Sequence, residues 1–481
     1  MISVSTLTVT RIDASIIIAY DGARHVILRD GVVVYEGNRI AHVGKSYSGQ
    51  ADETLDARGK MVIPGFVDLH AHITQSPLSQ GMKEDMPRHV PIPGSGTLSP
   101  NRWVPEPWMP EAMAKSSVYE LLKSGVTTLV ELGAPDWLGY PETVELLGDL
   151  GMRTYISAGY RSAGYQDGRL VHDLEAGYKQ LDNSVGHLRR HEGSHDGRVK
   201  FILYPRTVDF CLPELFERTV ELSEELDVPM QTHAAQSIRE YRTIKERYGK
   251  NPVEFLHDLG VLTPRTILGH CIFITSHRLI DEDPLAPELD LIAKSGATVA
   301  HCPWVFARVG RALESYPKYR DRGVNIGLGT DIFPQNMMAE MRWGAVLSKV
   351  VDVDSVAGTA PDLFNSATVK GADALGRPDL GRICEGGLAD LVVVDLETIR
   401  MSPVRDPIRN LVYGATDQDV DTVIIDGRTV VEHGEVVGLD ERELARDLQR
   451  IGDHFVDAVP KRDREGRTAE DISPLSFPVW E

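Results

Sequence analysis

The stretch VIPGFVDLHAHI, Val62 to Ile73, decides how the rest of the chain is read. Pro64-Gly65 breaks the preceding run, Phe66-Val67 is apolar, and His70 and His72 follow one residue apart. On a β-strand the side-chain period of two turns both imidazoles to the same face. Two buried imidazoles would otherwise need two separate hydrogen-bond partners, whereas one shared cation satisfies both. The stretch therefore predicts a strand that ends in a metal site.

It is also the first of eight similar segments. TTLVELG (127–133), RTYISAGY (153–160), VKFILYP (199–205), VPMQTHA (228–234), RTILGHC (265–271), ATVAHCP (297–303) and VNIGLGTD (324–331) are apolar and strand-length. Amphipathic helix-length segments lie between them, such as PEAMAKSSVYELLKSG (110–125) and PELFERTVELSEEL (213–226). Alternation of strand and helix argues for a parallel sheet, and eight strands is the number that closes a barrel. The expected fold is an α/β (β/α)8 TIM barrel over residues 64–381.

The two ends of the chain have another texture. SIIIAY, HVILRD, GVVVYEG and RIAHVG in the first ~60 residues are short β-branched runs with turns between them. LADLVVVDL and VDTVIIDGRTVVEHGEVVG near the other end repeat that texture around Asp-Gly and Gly-Glu turns. Residues 1–63 and 382–440 are expected to share one small β-sandwich domain, with 441–481 a peripheral, mainly helical extension.

Composition bounds the function. The 481 residues are 42% apolar and 25% charged, as in ordinary globular proteins. Lys and Arg total 51 against 71 for Asp and Glu, a formal charge of -20, and no basic stretch tracks a phosphate backbone, so nucleic acid is not an expected partner. No run reaches the ~18 apolar residues of a membrane span, and the start lacks the basic and apolar regions of a secretory leader. A cytoplasmic enzyme of a small organic substrate, without membrane or nucleic-acid partners and homo-oligomeric, is expected. Cys211, Cys271, Cys302 and Cys384 form no C-x-x-C pair and read as reduced, buried thiols.

Catalytic groups of such a barrel come from the C-terminal ends of its strands. Besides His70 and His72, four strands end in a titratable residue: His233, His270, His301 and Asp331. Each could alone be a satisfied core residue. Together, three imidazoles and a carboxylate suit one divalent cation, Zn first with Co or Mn as alternatives, and a site left short of saturation keeps a place for water.

PGFVDLHAH, the strand-five TH, GHC, AHCP, GTD and the late GLADLVVVD and VIIDGRTVVEHG segments together resemble the metal-dependent amidohydrolase superfamily. The resemblance runs from about residue 10 to 440. It implies a metal held by His70, His72, His233 and Asp331, with Asp331 also moving the proton from the attacking water to the leaving group. It further implies that His270 polarises or orients the reacting centre and that His301 touches substrate.

Two departures carry information. In the branch with cytosine and guanine deaminases and triazine hydrolases, a glutamate commonly stands three residues after the strand-five histidine and protonates a ring nitrogen. This chain has Gln236 there, and an amide cannot deliver a proton as an acid does. A plain carbonyl substrate is therefore expected first: an amide, urea or (thio)carbamate, as for the phenylurea and molinate-type hydrolases that the chain resembles. Deamination or dechlorination of a triazine- or pyrimidine-like ring is the alternative. Gln236 is then a substrate contact or a structural hydrogen-bond partner. The second departure is that the lysine used by two-metal relatives has only Lys200 as a counterpart, at the wrong end of its strand, so one metal is expected.

Thr74 to Pro110 is too long for an ordinary connection and carries Met82, Met86, Trp103, Trp108 and Met109. It reads as a lid over the substrate, or as a subunit-contact arm. Trp304 and Phe306, just after AHCP, read as substrate pocket or as core. A non-catalytic scaffold has no use for five convergent polar strand ends, so an enzyme is expected.

Overall fold

The computed structural model describes residues 7–81, 103–166, 169–463 and 465–480. Strands β1 (Val9–Tyr20), β2 (His25–Glu36), β3 (Arg39–Gly44) and β4 (Glu53–Pro64) come first. In β1, Thr10, Ile12, Ala14 and Ile16 are buried and alternate with half-exposed Arg11, Asp13 and Ser15, the pattern of a sheet covered on one face. From Ile16 onward both faces are covered. Ile16 and Ile18 join the large cluster around the central strands, while Ile17 stays with the sheet's own core of Ile12, Val33, Val62 and Leu391.

The eight expected central strands are all present: β5 (Phe66–Ala71), β6 (Val126–Glu131), β7 (Arg153–Ile156), β10 (Val199–Phe201), β11 (Met230–Ala234), β12 (Thr266–His270), β13 (Thr298–His301) and β14 (Asn325–Leu328). A small hairpin absent from the sequence reading, β8 (Ala163–Gln166) with β9 (Arg169–His172), stands between the third and fourth of them. The eight form two parallel four-stranded sheets, β10-β7-β6-β5 and β11-β12-β13-β14. Parallel bridges join these at both seams, Leu203 with Met230 and Ala71 with Asp331. At the second seam the His72 N–H donates to the Asp331 carbonyl (2.8 Å) and the Asp331 N–H to the His70 carbonyl (2.7 Å). The eight strands thus follow one another in order round a ring, the arrangement of a (β/α)8 barrel. One buried cluster brings Val130 and Tyr155 together with Ile267 and Ala300, from opposite sides of the ring, and so lies inside it. Leu129, Ile156, Leu268 and Val299 belong to the outer cluster, one position out of phase.

Strands β15 (Leu391–Asp395), β16 (Val420–Ile425), β17 (Arg428–Glu432) and β18 (Glu435–Val436) return to the first sheet. β15 pairs antiparallel with β4, Val393 opposite Val62, giving one eight-stranded sheet in the order β18-β17-β16-β15-β4-β1-β2-β3. The two ends of the chain do share one β-layer. It is hydrogen-bonded as a single sheet. At its junction with the barrel, Arg153 of β7 donates to Asp390 (2.8 and 3.0 Å) and to Asp426 (3.0 Å), all three side chains being buried.

Helices α1 (Met109–Lys123) and α2 (Pro213–Leu226) lie where the amphipathic pattern puts them. Others used below are α3 (Ile238–Tyr248), α4 (Met337–Asp352), α5 (Ala360–Ala367) and α6 (Glu441–Asp457). α6 is not peripheral: Ile451 and Phe455 are buried against Trp103, Met109, Ala112 and Met113. The Trp103 indole N–H donates to His454 Nδ1 (3.1 Å), and the Arg450 guanidinium sits 4.4 Å from the Trp108 ring centre. The described end of the long Thr74–Pro110 segment is therefore pinned to the C-terminal helix, and Met82 and Met86 lie outside the described residues. Among the described residues no helix is long and apolar enough to cross a membrane.

Candidate metal centre

Six polar residues stand at or just beyond the strand ends, and all are buried: His70, His72, His233, His270, His301 and Asp331. The His70 ring centre lies 5.0 Å from that of His72 and 4.7 Å from those of His233 and His270. Asp331 Oδ1 faces His70 Nε2 (3.8 Å) and His72 Nε2 (3.6 Å), while its Oδ2 faces His270 Nε2 (3.7 Å). These separations are too long for hydrogen bonds. They approach the roughly 3.4 Å that separates two ligands each ~2.1 Å from a tetrahedral cation. Donor atoms of His70, His233 and His270, and those of His70, His72 and Asp331, lie within 4.8 Å of one another. His70 Nε2, buried in the middle, has no hydrogen-bond partner. The donor set and the orphaned nitrogen fit a divalent cation.

The chain reaches this geometry by leaving its strands abruptly. Ala235, His270, Cys271 and Asp331 all have left-handed backbone, with φ of +49°, +75°, +45° and +58°. Such strain in non-glycine residues gathers where surrounding structure holds side chains to a task. Glycine admits His70 at close quarters: a Cβ on Gly329 would lie 2.7 Å from the His70 Cβ, and one on Gly269 would lie 3.1 Å from its Cε1. That is the physical content of the GH and GTD pairs.

Three buried polar residues that the sequence reading passed over hold these histidines and Asp331 in place. The Gln231 side-chain carbonyl accepts from His70 Nδ1 (2.5 Å), and its amide donates to the Leu69 carbonyl (2.8 Å). With the proton on Nδ1, His70 Nε2 keeps its lone pair toward the centre. Asp68 accepts the N–H groups of His70 (3.0 Å) and Thr330 (3.1 Å), tying β5 to the turn that carries Asp331. Glu131 accepts from the N–H groups of Ile73 (3.0 Å) and Gly133 (2.5 Å), fixing the chain just after His72. The available signal was an ionisable or amide residue inside an otherwise apolar strand, as in FVDLH, LVELG and PMQTH. His233 is held similarly, its Nδ1 donating to the Arg206 carbonyl (2.8 Å).

Burial sets the charges. It pushes His72 down to about 3, His233 to about 4 and His301 to about 3, and holds His70 and His270 well below the usual range, helped there by neighbouring imidazoles. At neutral pH these rings are uncharged and able to act as ligands. Burial, with Asp68 as neighbour, raises Asp331 to about 7, so the pocket favours a positive charge that would draw it back to carboxylate.

The other expected residues are placed less simply. Gln236, half-buried, directly follows the strand-five end, its backbone N–H held by Glu240 of α3 (2.9 Å). His301 lines a small recess with Ile272, Cys302 and Phe306. Trp304 turns its ring to Trp343 of α4, 4.7 Å away, whereas Phe306 meets the His270 ring at 4.6 Å. Lys200 pairs with Glu192 (3.0 Å), and it is Tyr204 of the same segment whose hydroxyl reaches His233 (3.1 Å). Cys302, read as an inert thiol, has its sulfur within 4.8 Å of donor atoms of His270 and Asp331. A cavity of ≈ 730 Å³ has Arg206 and its partner Asp136 in its walls, together with Trp103, Trp137, Tyr140 and Arg161.

The sequence profile of the amidohydrolase family matches residues 61–430. This chain belongs to the amidohydrolase family. It is a hydrolase acting on carbon–nitrogen bonds other than peptide bonds. The 5'-deoxyadenosine deaminase of Methanothermobacter thermautotrophicus is 31% identical over 430 residues, covering 86% of this chain and 92% of that protein. The 5-methylthioadenosine/S-adenosylhomocysteine deaminase of Thermococcus onnurineus is 30% identical, covering 84% and 94%. Among solved structures, an atrazine chlorohydrolase of Arthrobacter aurescens complexed with zinc superposes with a TM-score of 0.81 at 25% identity, covering 92% of this chain and 99% of that one. An adenosine deaminase of Xanthomonas campestris with bound zinc matches in fold, with a TM-score of 0.79 at 23% identity over 93% and 98%. These relatives favour the ring-directed alternative over the open-chain amide, urea or carbamate that Gln236 had put first. Gln236 does not bar ring chemistry. An amide N–H can still hydrogen-bond a ring nitrogen, and the proton can arrive from another group.

Proposed function

We propose that the protein is a metal-dependent deaminase of an amino-substituted aromatic N-heterocycle of the adenine class. The observation that carries this is the convergence of His70, His72, His233, His270 and Asp331 on one buried point, in a chain about 30% identical to deaminases over most of its length. In the overall reaction water adds to the ring carbon that bears the amine, and the amine leaves as ammonia. His70, His72, His233 and Asp331 would hold one divalent cation, zinc first, with cobalt or manganese able to replace it. When bound, the cation lowers the pKa of water enough to supply hydroxide at neutral pH.

The residues divide the rest of the work. Asp331 accepts the water's proton and returns it to the departing nitrogen, with Oδ2 turned to His270. His270, uncharged and held against Phe306, orients the reacting carbon's substituents. His301 and Gln236 meet the ring's polar edge, the Gln236 amide donating a hydrogen bond where an acid would give a proton. Trp304, tilted against Trp343, supports the substrate side of the site from behind Phe306. The cavity beside Arg206 and Asp136 takes the non-reacting part of the substrate.

We place this site on a (β/α)8 barrel of residues 64–381. Residues 1–63 and 382–440 form a composite β-sandwich domain, 441–481 an extension, and the enzyme is a cytoplasmic homo-oligomer. The test is metal analysis followed by ammonia release from adenosine, 5'-deoxyadenosine, 5'-methylthioadenosine and aminotriazines, beside anilides, phenylureas and carbamates. Ammonia from the aminated rings, lost in His70→Ala, is the expected result. Turnover confined to the open-chain substrates, or activity indifferent to His70→Ala, would overturn the reading.

A further inference from the structure

We propose that His270, Cys302 and Asp331 form a second cation seat, for a thiophilic divalent ion such as Cd2+ or excess Zn2+, and that filling it shuts the enzyme off. The inhibition rests on the roles given above to His270 and Asp331; the binding does not.

The geometry divides Asp331 between two donor groups. Oδ1 looks to His70 and His72, while Oδ2 looks to His270, 3.7 Å from its Nε2. A carboxylate can serve two cations, one oxygen to each. Donor atoms of His270, Cys302 and Asp331 lie within 4.8 Å of one another, and all three residues are buried. Among the described residues the Cys302 sulfur makes no hydrogen bond closer than a long 4.0 Å approach to the Ala300 carbonyl, so little holds it from a metal. Imidazole nitrogen, sulfur and carboxylate oxygen together make a zinc-type set, and the sulfur tilts it toward softer ions.

A further acid, Glu340, stands against the segment that carries Cys302. Glu340 is wholly buried on α4; its Oε2 accepts the Trp304 N–H (3.1 Å), and its Oε1 has no hydrogen-bond partner. A cysteine binds metal as its thiolate, so binding exchanges a proton for the metal: M2+ and Cys–SH give Cys–S–M+ and H+. Once engaged, Asp331 Oδ2 and the His270 nitrogen are withdrawn from the reaction.

The zinc-loaded full chain is titrated with Cd2+ while zinc release, proton release and the ultraviolet thiolate-to-cadmium charge-transfer band are followed. About one further equivalent, one proton and the band are expected, with a fall in rate of roughly tenfold or more. Cadmium exchanging into the His70–His72–His233–Asp331 set has no sulfur to bind and gives no band. Cys302→Ser should lose the band and need roughly tenfold more Cd2+ for half-inhibition, measured against its own uninhibited rate, while Cys271→Ser keeps both. His270→Ala should weaken formation of the band by a similar factor. A band that survives in Cys302→Ser, or no further equivalent bound, overturns the seat. A band without inhibition overturns the switch. The band, the proton and the equivalents bound are read without substrate, so failure of the deaminase reading is seen separately from failure of the seat.

Discussion

His70 has no freedom left: Gly269 and Gly329 close on its ring and Cβ, Asp68 holds its N–H, and the Gln231 carbonyl accepts a hydrogen bond from its Nδ1. Replacing Gln231 by Leu leaves that buried N–H without an acceptor and lets the ring turn. The expected loss is about 10- to 100-fold in cation affinity, read by competition with a coloured chelator, with the far-ultraviolet circular dichroism unchanged. Gln236 supports the opposite kind of prediction. Gln236→Glu adds an acid at the strand-five end, and kcat on aminated rings should rise by about tenfold or more, within what general acid catalysis supplies. Unchanged kcat would mean that the ring proton comes wholly from elsewhere. At this scale the sequence was informative about ligand types and weak about their supports. A histidine one residue from another announces a shared face, whereas Gln231 and Glu131 acquire meaning only through partners 161 and 58 positions away.

Elements locate these residues, and the strand-and-helix pattern was readable because the strands are mostly apolar and covered on both faces, as in a parallel sheet with helices on it. The chain ends were harder. His25 shows why: it opens β2, yet its ring packs 5.1 Å from Phe364 of α5, and its Nε2 lies 3.2 Å from Thr368 Oγ1. Burial, reinforced by Arg382, lowers it to about 4. Because the folded state resists the proton that the unfolded chain takes at about 6.5, stability should fall as pH drops from about 6.5 toward 4. His25→Gln should flatten that part of the dependence of Tm on pH; an unchanged slope would show that other groups carry it. The segment before α1 has partners that no local pattern shows: Trp103 and Trp108 meet α6, more than 330 residues later, and Trp103 also packs against Trp137 and lines the cavity beside Arg206.

For the whole molecule, the barrel and the end sheet are joined by a buried ionic contact as well as by apolar packing. Arg153 holds Asp390 and Asp426 where almost no water reaches. Arg153→Ala would take the cation from buried Asp390 and leave Asp426 to Arg198, 3.8 Å away, and Asn38; a loss of about 3–5 kcal/mol is expected from denaturant unfolding. If the loss were below about 1 kcal/mol, water would have to reach the junction. What the sequence by itself determined is what repeats locally: eight apolar strands, helices between them, two β-rich ends, and histidines and an aspartate at strand ends. Periodicity and residue type suffice for those. Only the tertiary structure decided which strand ends face a common point, that Asp331 turns its two oxygens to different imidazoles, that Cys302 stands beside them, and that Trp304 turns away while Phe306 turns in. Those facts depend on ring closure and on left-handed turns at Ala235, His270 and Asp331, where packing between distant segments overrides what any single stretch prefers.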